Sequence, residues 1–277
     1  MLAQRVATAL IGVPVILGLI AWGGVAYSLA VAAILTTAAL EFFAATDPQG
    51  GRSRLPRGLA RLLQQRPPAL LGAAAVALLV AAAHNGADWW TGSLVLAVAL
   101  TFLALILRGD VQAGLRDWLW VSGGLLYVGF LGSHLIFLRD LDDEGQWAIV
   151  AIFATFATDT AAYFCGRAFG RTHIVPAISP GKTLEGSLAG VAGGVAAVLF
   201  LNWVTGLRAD AVDIIPLAFL LPLAAEIGDL AESLVKRGAG VKDAGQLVPG
   251  HGGFLDRLDS ILFTVPLVYY FVIWVIL

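Results

Sequence analysis

Residues 147–167 read WAIVAIFATFATDTAAYFCGR. A hydrocarbon core about 30 Å thick takes roughly 20 helical residues to cross, so this stretch has the length of one membrane-spanning helix. Its apolar residues fall on every face instead of alternating with polar ones. That pattern excludes the strand of a closed transmembrane barrel and leaves a helix, which satisfies its own backbone inside lipid. One residue breaks the pattern. Asp159 stands eight positions before Arg167, about 12 Å along a helix axis, and a carboxylate at mid-membrane costs on the order of 2.5–3.5 kcal/mol on the insertion scale.

The same reading extends outward to the whole chain. Of 277 residues, 59% are hydrophobic and only 13% charged, and the mean hydropathy is +0.85, beyond what a soluble core can bury. Nine candidate spans appear, at residues 7–25, 27–45, 69–84, 91–107, 118–138, 147–167, 186–206, 214–233 and 258–277. The first leads straight into the second and lacks a small-residue cleavage site, so it reads as a helix and not as a signal peptide. The fold class predicted is therefore all-α, a polytopic integral membrane protein of about nine transmembrane helices. A single cysteine, Cys165, excludes an internal disulfide or a thiolate metal cluster and leaves helix packing to hold the fold.

Orientation follows from the cations. With the N-terminus inside, only Arg139 and Arg208 of the 17 Lys and Arg face outward, as the positive-inside rule requires. A net charge of −2 gives no reason to expect nucleic-acid binding. Residues 1–146 read as an N-terminal transmembrane scaffold of about five helices. Within it the arginine-rich cytoplasmic loop 46–68 is either a topology determinant or a segment lying on anionic membrane lipids. Residues 147–277 read as a catalytic half of about four helices, because polar residues specific in type begin at Asp159.

Three further constellations carry chemistry. In PLAAEIGDLAESLVKR, Glu226, Asp229, Ser233 and Arg237 recur at helical spacing and share one face. A charged helix end explains Lys236 and Arg237 but not the acids one to three turns deeper. The segment 236–260, KRGAGVKDAGQLVPGHGGFLDRLDS, combines glycines that let backbone amides approach a phosphate with Lys242, Asp243, His251, Asp256, Arg257 and Asp259. Carboxylates beside such cations suit a divalent ion carrying a polyphosphate. In SPGKTLEGSLAG, Lys182 and Thr183 precede a span. A nucleotide-binding P-loop is excluded because Pro176 stands where its first glycine belongs. The pair either faces an anion at a helix N-terminus or simply caps the helix.

The run from Ser233 to Asp259 resembles the signature of the phosphatidate cytidylyltransferases. Its elements are filled by Ser233, Lys236 and Arg237, Lys242 and Asp243, Pro249, His251, Gly252 and Gly253, then Asp256, Arg257 and Asp259. DTAAYFCGRAFGR and SPGKTLEGSLAGV are similar to family segments too, so the likeness covers most of residues 155–262. In one departure, Gly181 stands where the family commonly has a lysine before Lys182.

The resemblance implies transfer of CMP from CTP to phosphatidic acid, giving CDP-diacylglycerol and pyrophosphate, at the inner face of a bacterial plasma membrane. It implies Mg²⁺ as cofactor, with K⁺ as a second cation, and Asp229 and Asp256 as metal ligands. Asp159 and Asp259 would stand in or next to the metal's coordination sphere. Ser233, Lys236, Arg237, Lys242, Arg257 and His251 would act on the phosphates as catalytic groups. Lys182, Thr183, Asp243, Gly252 and Gly253 would bind substrate. Two alternatives stay open at the level of sequence, a CTP-dependent membrane lipid or polyprenol kinase and an ion-coupled transporter. The choice between monomer and homodimer is open as well.

Overall fold

The structure, a computed structural model, describes residues 2–48, 65–207, 209–245, 247 and 252–277, with side chains from residue 10 onward. Nine helices run through the described residues: α1 (Leu2–Trp22), α2 (Gly24–Thr46), α3 (Pro67–Ala83), α4 (Ala87–Arg108), α5 (Val111–Arg139), α6 (Gln146–Phe169), α7 (Leu184–Val204), α8 (Ala211–Gly238) and α9 (Leu255–Ile276). Seven of them are long and apolar enough to cross a membrane, and α3 and residues Leu10–Trp22 of α1 are shorter apolar helices. The all-helical polytopic architecture expected from the sequence is therefore the one observed. Large apolar side chains such as Val111, Leu107 and Trp203 stand open at the surface, tolerable in lipid and costly in water.

Local chemistry sets the helix ends. Pro67 opens α3, where its missing N–H is no loss. Gly109 closes α4 with φ 70°, a left-handed turn that glycine adopts without steric cost. Asp110 then accepts from Ala113 N to cap α5, and Asp142 accepts from Gln146 N and Trp147 N at the start of α6.

The chain divides into two compact units, Met1–Phe137 with Gly238–Arg257, and Leu138–Arg237 with Leu258–Leu277. In the first, the fully buried Phe43 of α2 fills the space of missing side chains on α3 and α5. A Cβ on Gly72 or Gly124 would lie 2.5 or 2.4 Å from its ring. The start of α3 is anchored by charge. Arg66 pairs with Asp47 at 2.6 Å and with the buried Asp117 at 3.1 Å, while Arg108 reaches Asp117 at 3.2 Å. The Arg66 guanidinium also lies 4.9 Å over the ring of Trp120.

In the second unit α6 and α7 pack most closely. Gly186, Gly190 and Gly194 recur every fourth residue of α7, and a Cβ on each would come within 2.9 Å of Ala162 O, 3.0 Å of Ala162 Cβ and 2.3 Å of Thr158 Oγ1. Lipid tails are as apolar as the helices, so such close approach replaces the hydrophobic effect as the source of attraction. Helix α9 breaks at Asp259 and Ser260 before resuming at Ile261. There its backbone lies directly on α8, where a Cβ on Gly228 would be 2.7 Å from Asp259 O.

Candidate active site

The polar residues of the second unit gather around one lysine. The loop 170–183 leads into α7 and is drawn tight by an antiparallel bridge between His173 and Thr183. Gly170 permits this turn, since a Cβ there would lie 2.6 Å from Thr183 Oγ1. Thr183 is buried and accepts from Gly186 N, so it caps α7. Lys182 is thereby aimed at α8. Its Nζ donates to Asp229 Oδ2 at 2.7 Å and to the Glu226 carbonyl at 3.0 Å, and it lies 2.9 Å from Glu226 Oε2. Ser187 Oγ donates to Glu226 Oε2 at 2.9 Å. Gly190 makes room for that carboxylate, as a Cβ there would lie 3.0 Å from Oε1.

Burial by itself disfavours the Lys182 ammonium. Asp229 and then Glu226 outweigh it and hold the pKa above its ordinary value, so this lysine is a fixed positive charge. Its side chain is 11% exposed while that of Asp229 is 38% exposed. One edge of Asp229 is thus engaged by Lys182 and another stands open at the protein's surface. Asp159 accepts from Ser260 Oγ at 3.3 Å and feels the charges of Asp259, Asp229 and Glu226. Asp229 and Glu226, held by Lys182, present hard carboxylate oxygens, the donor type that divalent cations such as Mg²⁺ take.

Further along α8, Lys236 forms an ion pair with the fully buried Glu232, and Arg237 Nε donates to the Ile178 carbonyl at 3.2 Å. Ser233 is half-buried on the same helix.

The glycine-rich segment belongs to the first unit. Asp256 is buried, and Gly253 N donates to its Oδ2 at 2.8 Å. Ala244 N lies 3.2 Å from each oxygen of the same carboxylate, and Gly245 N is 3.5 Å from Oδ2. The amide of Gly253 thus shapes the turn through Asp256, and Gly252 takes φ 84° beside it. Lys242, Asp243 and Arg257 are exposed. His251 lies outside the described residues. At Gly181 a Cβ would meet nothing within 4 Å, so the structure has space for the lysine that the motif commonly carries.

Two acids here were not singled out from the sequence. Glu232 was hidden by its neighbours in a helix end already rich in charge. Glu41 lies on α2, is 1% exposed, and accepts from Leu255 N at 2.9 Å across 214 residues of sequence. A lone acid in an apolar span was the available signal, the same one that marked Asp159.

Buried carboxylates, a lysine held between two of them and a glycine turn folded on an aspartate equip a polytopic helical membrane protein to handle phosphates, as an integral-membrane enzyme does. The chain belongs to the cytidylyltransferase family, whose sequence profile matches residues 3–275. It is 33% identical over 310 residues to a phosphatidate cytidylyltransferase of Synechocystis, covering 98% of this chain and 96% of that one. It is 44% identical over 154 residues to the phosphatidate cytidylyltransferase of Brucella suis, covering 55% of this chain and 56% of that one. With the chloroplastic phosphatidate cytidylyltransferase 5 of Arabidopsis thaliana it shares 33% identity over 283 residues, 92% of this chain and 68% of the other.

Proposed function

We propose that this enzyme transfers the cytidylyl group of CTP to phosphatidic acid, at the cytoplasmic face of a bacterial plasma membrane. A phosphate oxygen of the lipid attacks the α-phosphorus of CTP. One P–O bond forms there, the bond from that phosphorus to the β-bridging oxygen breaks, and pyrophosphate leaves with the electron pair. A phosphate monoester is already an anion near neutral pH, so the task is alignment and charge neutralisation more than proton removal.

The observation that carries this reading is the Lys182–Glu226–Asp229 cluster, which orients a carboxylate with one edge open at the protein's surface. Among the described residues no three acidic, histidine or cysteine side chains gather closely enough to hold a metal by themselves. Mg²⁺ is commonly bound in this way, by one or two carboxylates with substrate phosphates completing the shell. In the second unit Asp229 would hold it, with Asp159 in support; in the first, the assignment of Asp256 rests on the sequence motif. The ion would supply charge neutralisation on the triphosphate and the departing pyrophosphate, with K⁺ as a second cation. Lys242 and Arg257, both exposed, offer positive charge to phosphate oxygens. Lys236 and Arg237 act through Glu232 and the Ile178 carbonyl that they engage.

Purified protein given phosphatidic acid, Mg²⁺ and CTP labelled at the α-phosphorus yields labelled lipid on this reading. A lipid labelled only from γ-labelled CTP would make the enzyme a kinase, and no labelled lipid from either would remove it from lipid phosphate chemistry. Asp229→Asn keeps its fold in detergent and loses turnover.

A further inference from the structure

The carboxylate of Glu41 is enclosed by the glycine-rich turn of its own unit. Leu255 N donates to Oε2 at 2.9 Å. This amide opens the first turn of α9 and has no partner within the helix. The two glycines of the turn are moulded round the same group. A Cβ on Gly253 would lie 2.4 Å from Oε2 and 2.5 Å from Oε1, and one on Gly245 would lie 2.0 Å from Oε1. Residues Ala244, Gly245 and Gly253 are also the ones whose amides face Asp256. Two acids thus fold one turn between them, Asp256 from within the signature and Glu41 from α2. A polar side chain inside an apolar span is costly to insert, whereas packing alone would be served by leucine.

We propose that Glu41 is a positioning residue for cytidylyl transfer, holding the turn from Gly252 to Leu255 so that Asp256 is presented in its working geometry. The inference rests on the proposed reaction for its kinetic consequence, and on the turn's hydrogen bonds for its structural one. Glu41→Ala removes the acceptor of Leu255 N and leaves the turn free to shift. Small misplacements of this kind cost roughly 10- to 100-fold in turnover. Glu41→Gln keeps a carbonyl oxygen for Leu255 N and the same side-chain length.

The test uses the full-length protein in detergent, wild type beside both variants. Hydrogen–deuterium exchange over residues 252–258 is expected to quicken in Glu41→Ala and to stay near wild type in Glu41→Gln, while exchange in the α6–α7 pair does not change. In the transfer assay Glu41→Ala is expected to lose 10- to 100-fold in kcat with little change in KM for phosphatidic acid, and Glu41→Gln is expected to restore most of it. Unaltered exchange in Glu41→Ala overturns the proposal whatever the reaction proves to be. Altered exchange with wild-type kcat overturns the positioning role while leaving the anchor. Uniformly faster exchange in both units with no rescue by Gln makes Glu41 a stability residue and overturns the proposal too. A wild-type protein inactive in the assay counts against the proposed reaction, and the exchange comparison then judges the anchor separately.

Discussion

Lys182 occupies the position between Glu226 and Asp229 that two like charges on neighbouring turns of one helix require. Removing it strands those carboxylates, and the cost depends on which of them can escape to water. Glu226 is the more enclosed, with its side chain 14% exposed against 38% for Asp229. Losing one partner of a fully buried pair costs about 3–5 kcal/mol. Solvent at the edge of Asp229 lowers this to roughly 1–3 kcal/mol for Lys182→Met. Adding Glu226→Gln to that variant discharges the more enclosed acid, so thermal unfolding in detergent is expected to show part of the stability regained. Activity is not expected to return, because Asp229 stays without its orienting partner. Equal midpoints for the single and double variants would mean that Glu226 is neutralised by some other group.

At the scale of elements, the helices were legible because hydropathy and length are local properties. Nine apolar runs predicted nine helices, most ends to within five residues, with α5 starting at Val111 instead of 118, and the cap alternative at Thr183 is the one observed. What the sequence hid depended on contacts between distant segments. The break of α9 at Asp259 and Ser260 interrupts the start of the predicted last span, 258–277. It falls where α9 lies against Gly228 of α8, whose missing side chain leaves the room for it. Glu41 escaped notice because its partner lies 214 residues away, and the acids around Lys182 became its acceptors only once the loop 170–183 had folded. The glycine stripe of α7 tests how far such close approach sets stability. Gly194→Val places a Cβ 2.3 Å from Thr158 Oγ1 and 2.7 Å from Pro222 Cβ, and overpacking of this kind costs about 1–3 kcal/mol. Gly92→Ala on α4 meets nothing within 4 Å and is expected to leave the unfolding midpoint unchanged or slightly higher. A Gly194→Val protein as stable as wild type would show that α6 and α7 separate without penalty.

For the whole molecule the decisive property is which side of the membrane receives the polar loops. Fifteen of the 17 Lys and Arg fall in segments assigned to one side, and short loops rich in these cations stay in the cytoplasm. On the orientation proposed from this bias, Lys182 and Lys242 would fall in loops assigned to the cytoplasm, the compartment that holds CTP. This is testable without any assay of turnover. Cys165 is the sole cysteine, and Cys165→Ser gives a background for single reporters. Gln112→Cys lies beyond α4 on the proposed inner side, and Glu144→Cys lies between α5 and α6 on the outer; both positions are exposed. A membrane-impermeant maleimide added to spheroplasts is expected to label Glu144→Cys and spare Gln112→Cys, and inverted vesicles should reverse the result. The opposite pattern would put the glycine-rich segment outside, away from nucleotide, and would leave a cytidylyltransferase without its donor. The positive-inside bias and the proposed reaction therefore stand or fall on one labelling experiment.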